Sequence, residues 1–147
     1  MNSISFKNQL DKLGEVQKPE FGKMTPQHMV EHLTLTVKIS SERIKIPFFE
    51  PSKKQLEMKR QLLETDMDFP KSIKFPNDPG RLLDLRFPDL ETAKIKLLQS
   101  LEEFEAYFRE NPDTKTVHPV LGELEKEEWD RFHQKHFKHH FSQFGIG

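Results

Sequence analysis

Seven histidines stand in a chain that has no cysteine. Four of them fall in one stretch, WDRFHQKHFKHHFSQF (Trp129 to Phe144): His133, His136, His139 and His140. Neutral imidazole is the commonest side-chain metal ligand. Without thiolates, any bound metal must rest on histidine, carboxylate or water. His136 and His140 are four residues apart, so on a helix they lie one above the other, where two imidazoles can grip a single ion. With His136 as the angular origin and roughly 100° per residue, Trp129, Phe132, His133, His140, Gln143 and Phe144 share its broad face. His139 falls toward the edge of that face, and Lys135 and Lys138 point away.

Two histidines leave a site incomplete, and a third candidate stands a hundred residues earlier. In TPQHMVEHLTLTVKISSERI, Thr25 is a good N-cap and Pro26 suits the first helical position. The helix is expected to run to about Arg43. His28, Met29, His32, Leu35, Thr36 and Ile39 are expected to share one face, with His32 near its middle. Burying three imidazoles in one small core without a shared partner is costly, and one ion removes the difficulty. Three histidines and a water give the open coordination of catalytic zinc rather than the closed set of structural zinc.

Each residue also has a plainer reading. A lone histidine on an apolar face is usually a hydrogen-bonded core residue, and a His pair four apart arises by chance in a His-rich helix. His28 is an alternative ligand, a pocket-lining residue or one that orients a ligand. His133 is packing or a pocket wall, and His139 belongs at the rim. His118, before Pro119, either faces the same cavity or closes its turn. Gln143, one turn beyond His140, is placed to hydrogen-bond a ligand or substrate, or is a polar edge. Trp129 belongs to the core. Glu31 lies about a quarter turn from His32 and is not read as a general base; most carboxylates read as solvated.

The elements that must position these residues are helical. Ile4 to Val16 carries Phe6, Leu10 and Leu13 at helical spacing and reads as a short helix ended by Gly14. SKKQLEMKRQLLETD reads as a polar helix. FPKSIKFPNDPGRLLDLRFPD is long and irregular, with four prolines, and is taken as a crossover over one end of a bundle. Asp89 caps the clearest helix, whose stripe is Leu90, Ala93, Leu97, Leu101, Phe104 and Phe108. NPDTKTVHPVLGEL reads as an irregular link. The last helix is expected from about Glu125 to Phe144, with Glu125, Glu127 and Glu128 where the helix dipole favours them. The expectation is an all-α chain, a four-helix bundle with a long crossover connection, in one domain spanning residues 1–147.

Composition narrows the function. An apolar share of 34% against 32% charged residues suits helices with one narrow buried stripe each. The formal charge of -1 gives no drive onto phosphate backbones or anionic membranes. No Gly-rich phosphate loop, dinucleotide fingerprint or serine triad order is present. No apolar run resembles a signal peptide or membrane span, so a cytoplasmic protein is expected. The expected partner is a small-molecule substrate, without nucleic acid or membrane, and a homodimer is compatible.

Two segments carry a family resemblance: GKMTPQHMVEHL, Gly22 to Leu33, and HPVLGELEKEEWDRFHQKHFKHHFSQFGI, His118 to Ile146. The pattern of a Trp, then HxxHH, then Gln resembles the C-terminal signature of the DinB/YfiT-like superfamily of metal-dependent enzymes, in a branch of small proteins of unknown function. His32 before Leu33 is similar to its first histidine helix. The stretch from about residue 45 to 88 carries little of the likeness. The resemblance implies a DinB/YfiT-like bundle with an unusual crossover. It also implies a divalent metal, zinc or nickel, on His32, His136 and His140. Some relatives in that superfamily use an external low-molecular-weight thiol for transferase or isomerase chemistry. Glu125 replaces the small hydroxyl residue such relatives often carry there, which weakens the cap. The expectation is a metal-dependent enzyme of thiol-transferase or hydrolase type; the alternative is a non-catalytic helical protein binding a metal or small ligand.

Overall fold

The computed structural model describes residues 3–20, 24–69 and 84–146. The elements run α1 (Ser3–Leu10), α2 (Pro26–Ser40), α3 (Lys53–Glu64), α4 (Leu90–Glu110), β1 (Thr116–His118), β2 (Gly122–Leu124) and α5 (Lys126–Gln143). It is thus mostly helical, with five helices and one small hairpin among the described residues. No helix among them is long and apolar enough to cross a membrane.

Helix ends follow local chemistry. Thr25 Oγ1 accepts the backbone N–H of His28, and Pro26 opens α2 as expected. The helix stops at Ser40, three residues short of the expected Arg43. Glu42 takes a left-handed φ of 58°, and the amides of Arg43 and Ile44 both turn back to Lys38 O. That geometry closes a helix C-terminus. α1 also ends early, at Leu10: the amides of Lys12 and Leu13 bond three residues back, tightening the last turn before Gly14 is reached. Ser52 and Gln55 cap α3 reciprocally, each side chain accepting the other's backbone N–H. Asp89 caps α4 by accepting Thr92 N–H at 2.7 Å.

The stripe predicted on α4 is buried throughout. It packs on α2, where Met29, Val30, Leu33 and Val37 are buried, and this is the most extensive helix pairing among the described residues. Each such side chain contributes about 1.5–3 kcal/mol when fully buried. α5 adds Trp129, Phe132, Phe137 and Phe141 from a third direction. α1 packs on α4, and α3 on α5.

Two expectations are corrected. The buried face of α2 is rotated from the expected one, centring on Met29, Val30, Leu33 and Val37, so that His32 and Leu35 sit half-buried at its edge. The apolar spacing in this helix supports either face, and packing against α4 chose between them. The link read as irregular contains the β1–β2 hairpin, antiparallel with Thr116 opposite Leu124 and His118 opposite Gly122. Three-residue strands are too short for alternation to reveal. Gly122 is required there: its φ is +81°, and a Cβ would stand 2.6 Å from Pro51 Cγ. The expected crossover over residues 69–89 lies largely outside the described residues.

Candidate metal centre

α5 presents His136 and His140 to the core because its apolar stripe, Trp129, Phe132, Phe137 and Phe141, is the face that must be buried. Both imidazoles go in with it. α2 brings His32 from the opposite side. His32 Nε2 lies 3.0 Å from His136 Nε2, and His140 Nε2 lies 3.1 Å from the same atom. The three rings stand nearly perpendicular to one another, with centroids 4.7–5.0 Å apart. These three histidines form a group whose ligand atoms all lie within 4.8 Å of one another.

The proton of His140 can be placed. Its Nδ1 is 2.6 Å from Gln143 Oε1, and an amide oxygen only accepts, so Nδ1 carries the hydrogen and Nε2 is a bare lone pair. The backbone carbonyl of Gln143 in turn accepts Glu20 N–H. Burial, ahead of the neighbouring His32, pushes His140 down to about 3. Burial again, then His140 and His32, holds His136 well below the ordinary histidine range. Both rings are therefore neutral near pH 7, the form that binds metal. His136 Nδ1 has no hydrogen-bond partner among the described residues, and the faces of the ring lie against Phe69 and Phe132 at centroid distances of 5.2 and 5.1 Å.

The donor set fits a divalent ion. Bonds of about 2.05 Å imply nitrogen separations of about 3.3 Å in a tetrahedral site, or about 2.9 Å on one face of an octahedron. The two separations at His136 Nε2, 3.0 and 3.1 Å, fall between, and all three ligand atoms lie within 4.8 Å of one another. Among the described residues no fourth histidine or carboxylate joins the group. His32 is half-buried where His136 is fully buried, so the group opens on the His32 side.

The other histidines go elsewhere. His28 Nδ1 lies 2.6 Å from Thr25 Oγ1, at the start of α2. His118 is buried, and its Nδ1 accepts the amides of Val120 and Leu121 at 3.0 and 3.1 Å, so it closes its own turn. Its proton then sits on Nε2, and burial pushes the ring down to about 3. His133 Nε2 lies 3.0 Å from Ser40 Oγ, and its ring stacks on Trp129 at 5.3 Å. His139 is half-buried, its ring 5.2 Å from that of Phe69.

Two further residues shape this region without having been singled out for it. Phe69 covers one face of His136, and nothing in its sequence surroundings signals that contact. It is held from outside: Lys135 Nζ donates to the carbonyls of Thr65 and Met67, and Lys138 pairs with Asp68. Glu31 is buried rather than solvated. Its carboxylate accepts the amides of Arg86 and Phe87 and the Gln27 side chain, pinning residues 86–87 beside α2. Its place next to His32 was a signal; its partners, 55 residues away in sequence, were not legible.

Glu125 does precede α5 as expected, and the helix start is supported by Glu128, whose carboxylate accepts Glu125 N–H. The family model for DUF1569, described as a protein of unknown function, matches residues 7–145. The chain belongs to this family. No curated protein and no solved structure matches it significantly.

Proposed function

We propose that this DUF1569-family protein is a metal-dependent enzyme of the DinB/YfiT-like type, holding one divalent ion through His32, His136 and His140. The observation that carries the reading is the convergence of three imidazoles, with His32 Nε2 and His140 Nε2 at 3.0 and 3.1 Å from His136 Nε2. Three imidazoles brought together in this way are a donor set that a divalent ion takes. Zinc and nickel both suit three imidazoles.

A divalent ion held by three imidazoles supplies Lewis acidity to a ligand in its remaining position, water or a thiol. The protein's own residues do the rest. Gln143 orients His140 by accepting the hydrogen bond of its Nδ1–H. Phe69 and Phe132 keep water from the faces of His136. The half-buried edge of His32 is the side from which a small-molecule substrate enters. Because the chain has no cysteine, a thiol-transfer reaction takes its thiol from an external low-molecular-weight compound, and with water in its place the reaction is a hydrolysis.

One observation favours a second reading, a non-catalytic metal-binding protein. Glu31, the carboxylate nearest to His32 in sequence, is already engaged by two amides and Gln27. No carboxylate base therefore joins the three histidines among the described residues.

Untagged protein should carry near-stoichiometric zinc or nickel by elemental analysis, or take it up on incubation. A wild-type chain that binds neither would sink both readings. Metal retained without turnover in a screen of thiol transfer and hydrolysis would favour the second.

A further inference from the structure

α2 packs mainly on α4 and touches α5 only sparsely. Apolar helix contacts tolerate small slides and rotations, whereas hydrogen bonds do not. What sets α2 against α5 should therefore be sought among polar contacts. Apart from the His32–His136 approach, the C-terminus of α2 is tied to α5 twice. His133 Nε2 lies 3.0 Å from Ser40 Oγ. Trp129 Nε1 donates to Thr116 Oγ1 at 2.7 Å, and Thr116 Oγ1 donates to Ser40 O at 2.8 Å.

The hydrogens in this network have one consistent assignment. Ser40 Oγ donates to Val37 O at 2.5 Å, so it accepts from His133 Nε2–H. Thr116 gives its hydrogen to Ser40 O and accepts that of Trp129. Ser40, Thr116, Trp129 and His133 are all fully buried. A slip of α2 would strand several of these groups without water to replace their partners. Ser40 is two turns beyond His32 on α2, and His133 is one turn before His136 on α5. The ties thus sit between the same two helices as the converging imidazoles, at a second point along them.

We infer that Ser40, Thr116, Trp129 and His133 form a positioning lock that sets α2 against α5 and so brings His32 onto His136. Its importance for metal binding rests on the function proposed above; the ring convergence that it governs does not.

The test uses the full chain with Ser40→Ala, Thr116→Val and Thr116→Ser. Thr116→Val removes the hydroxyl at nearly constant volume, and Thr116→Ser restores it. Leu10→Ala, in α1 and outside the lock, serves as a general destabilisation control. In metal-free protein, NMR cross-peaks between the His32 and His136 rings are expected in wild type, Thr116→Ser and Leu10→Ala. They should be lost or weakened in Ser40→Ala and Thr116→Val. Cobalt(II) titrations should show affinity reduced by about tenfold or more in the latter two, with an altered visible spectrum. If Thr116→Val does not fold, Ser40→Ala severs the other tie and carries the same comparison. Wild-type ring contacts and cobalt affinity in both lock variants would overturn the inference, as would an equal loss in Leu10→Ala. A wild type that shows the ring contacts but binds no cobalt would instead count against the metal reading alone, with the ring cross-peaks still deciding the lock.

Discussion

His133 and His136 stand one turn apart on α5, and both are fully buried. Burial depresses both: His133 goes down to about 3, and His136 lies well below the usual value. The two rings nevertheless meet opposite company. His133 gives its Nε2 hydrogen to a serine hydroxyl, and nearby His118 takes two backbone amides on Nδ1. Those contacts pair a donor with an acceptor. His136 Nε2 instead meets two further imidazole nitrogens, one of them, on His140, a bare lone pair. Burial and lowered basicity are shared by the two layers, so neither identifies a site. The chemistry of the partner does. A ring nitrogen that meets a hydroxyl or an amide needs no ion beside it, whereas three imidazole nitrogens gathered together are a donor set for a cation.

The largest expected difference between the layers lies in metal affinity. His140→Ala should weaken zinc or cobalt binding by more than about 100-fold, beyond the roughly 10–100-fold attached to residues that only orient ligands. His118→Leu, in the other layer, should leave a calorimetric metal titration unchanged. Equal losses in the two variants would erase the distinction.

Next in size is the pH dependence of the metal-free fold. The unfolded chain takes up a proton on each histidine near pH 6.5. In the folded chain His118 and His133 resist protonation down to about 3. Their contribution is complete above about pH 6.5 and declines as pH falls from there toward 3, by up to about 1.4 kcal/mol per pH unit for each ring. Urea unfolding at a series of pH values would show this slope, and His118→Leu should make it shallower.

A smaller effect separates packing from hydrogen bonding around His118. His118→Leu leaves the amides of Val120 and Leu121 without their acceptor and should lower stability by about 1–3 kcal/mol. His118→Asn, whose carbonyl can stand near the position of Nδ1, should recover part of that loss in the same unfolding measurement. The smallest expected change is Gln143→Leu. It removes the acceptor on His140 Nδ1 and should lower metal affinity by about tenfold with little change in unfolding free energy. A stability loss without an affinity change would make Gln143 a packing residue only.

Much of this was legible in the chain. The i,i+4 pair on α5, the stripe on α4, and the caps at Thr25 and Asp89 are local features, set by helical period and by side chains within a turn of their targets. The pairing of His32 with that helix was legible only as an argument from need, that buried imidazoles want a shared partner. The orientation of α2 was not legible, because its apolar residues support two faces and only contact with α4 selects one. Nor was the hairpin, whose strands are three residues long. His32 and Phe69 reach His136, and Arg86 and Phe87 reach Glu31, from segments 55 or more residues away, and no local pattern records such meetings.

The sequence by itself determined which helices form, which faces of α4 and α5 are apolar, and that cysteine chemistry is absent, because these depend on composition and on spacings of four residues or fewer. Only the tertiary structure decided which histidines meet hydroxyls and amides and which converge. A ring nitrogen's role depends on what lies about 3 Å from it, and for His32, His133 and His136 that neighbour is brought from the far end of the chain by the packing of α2 and α5.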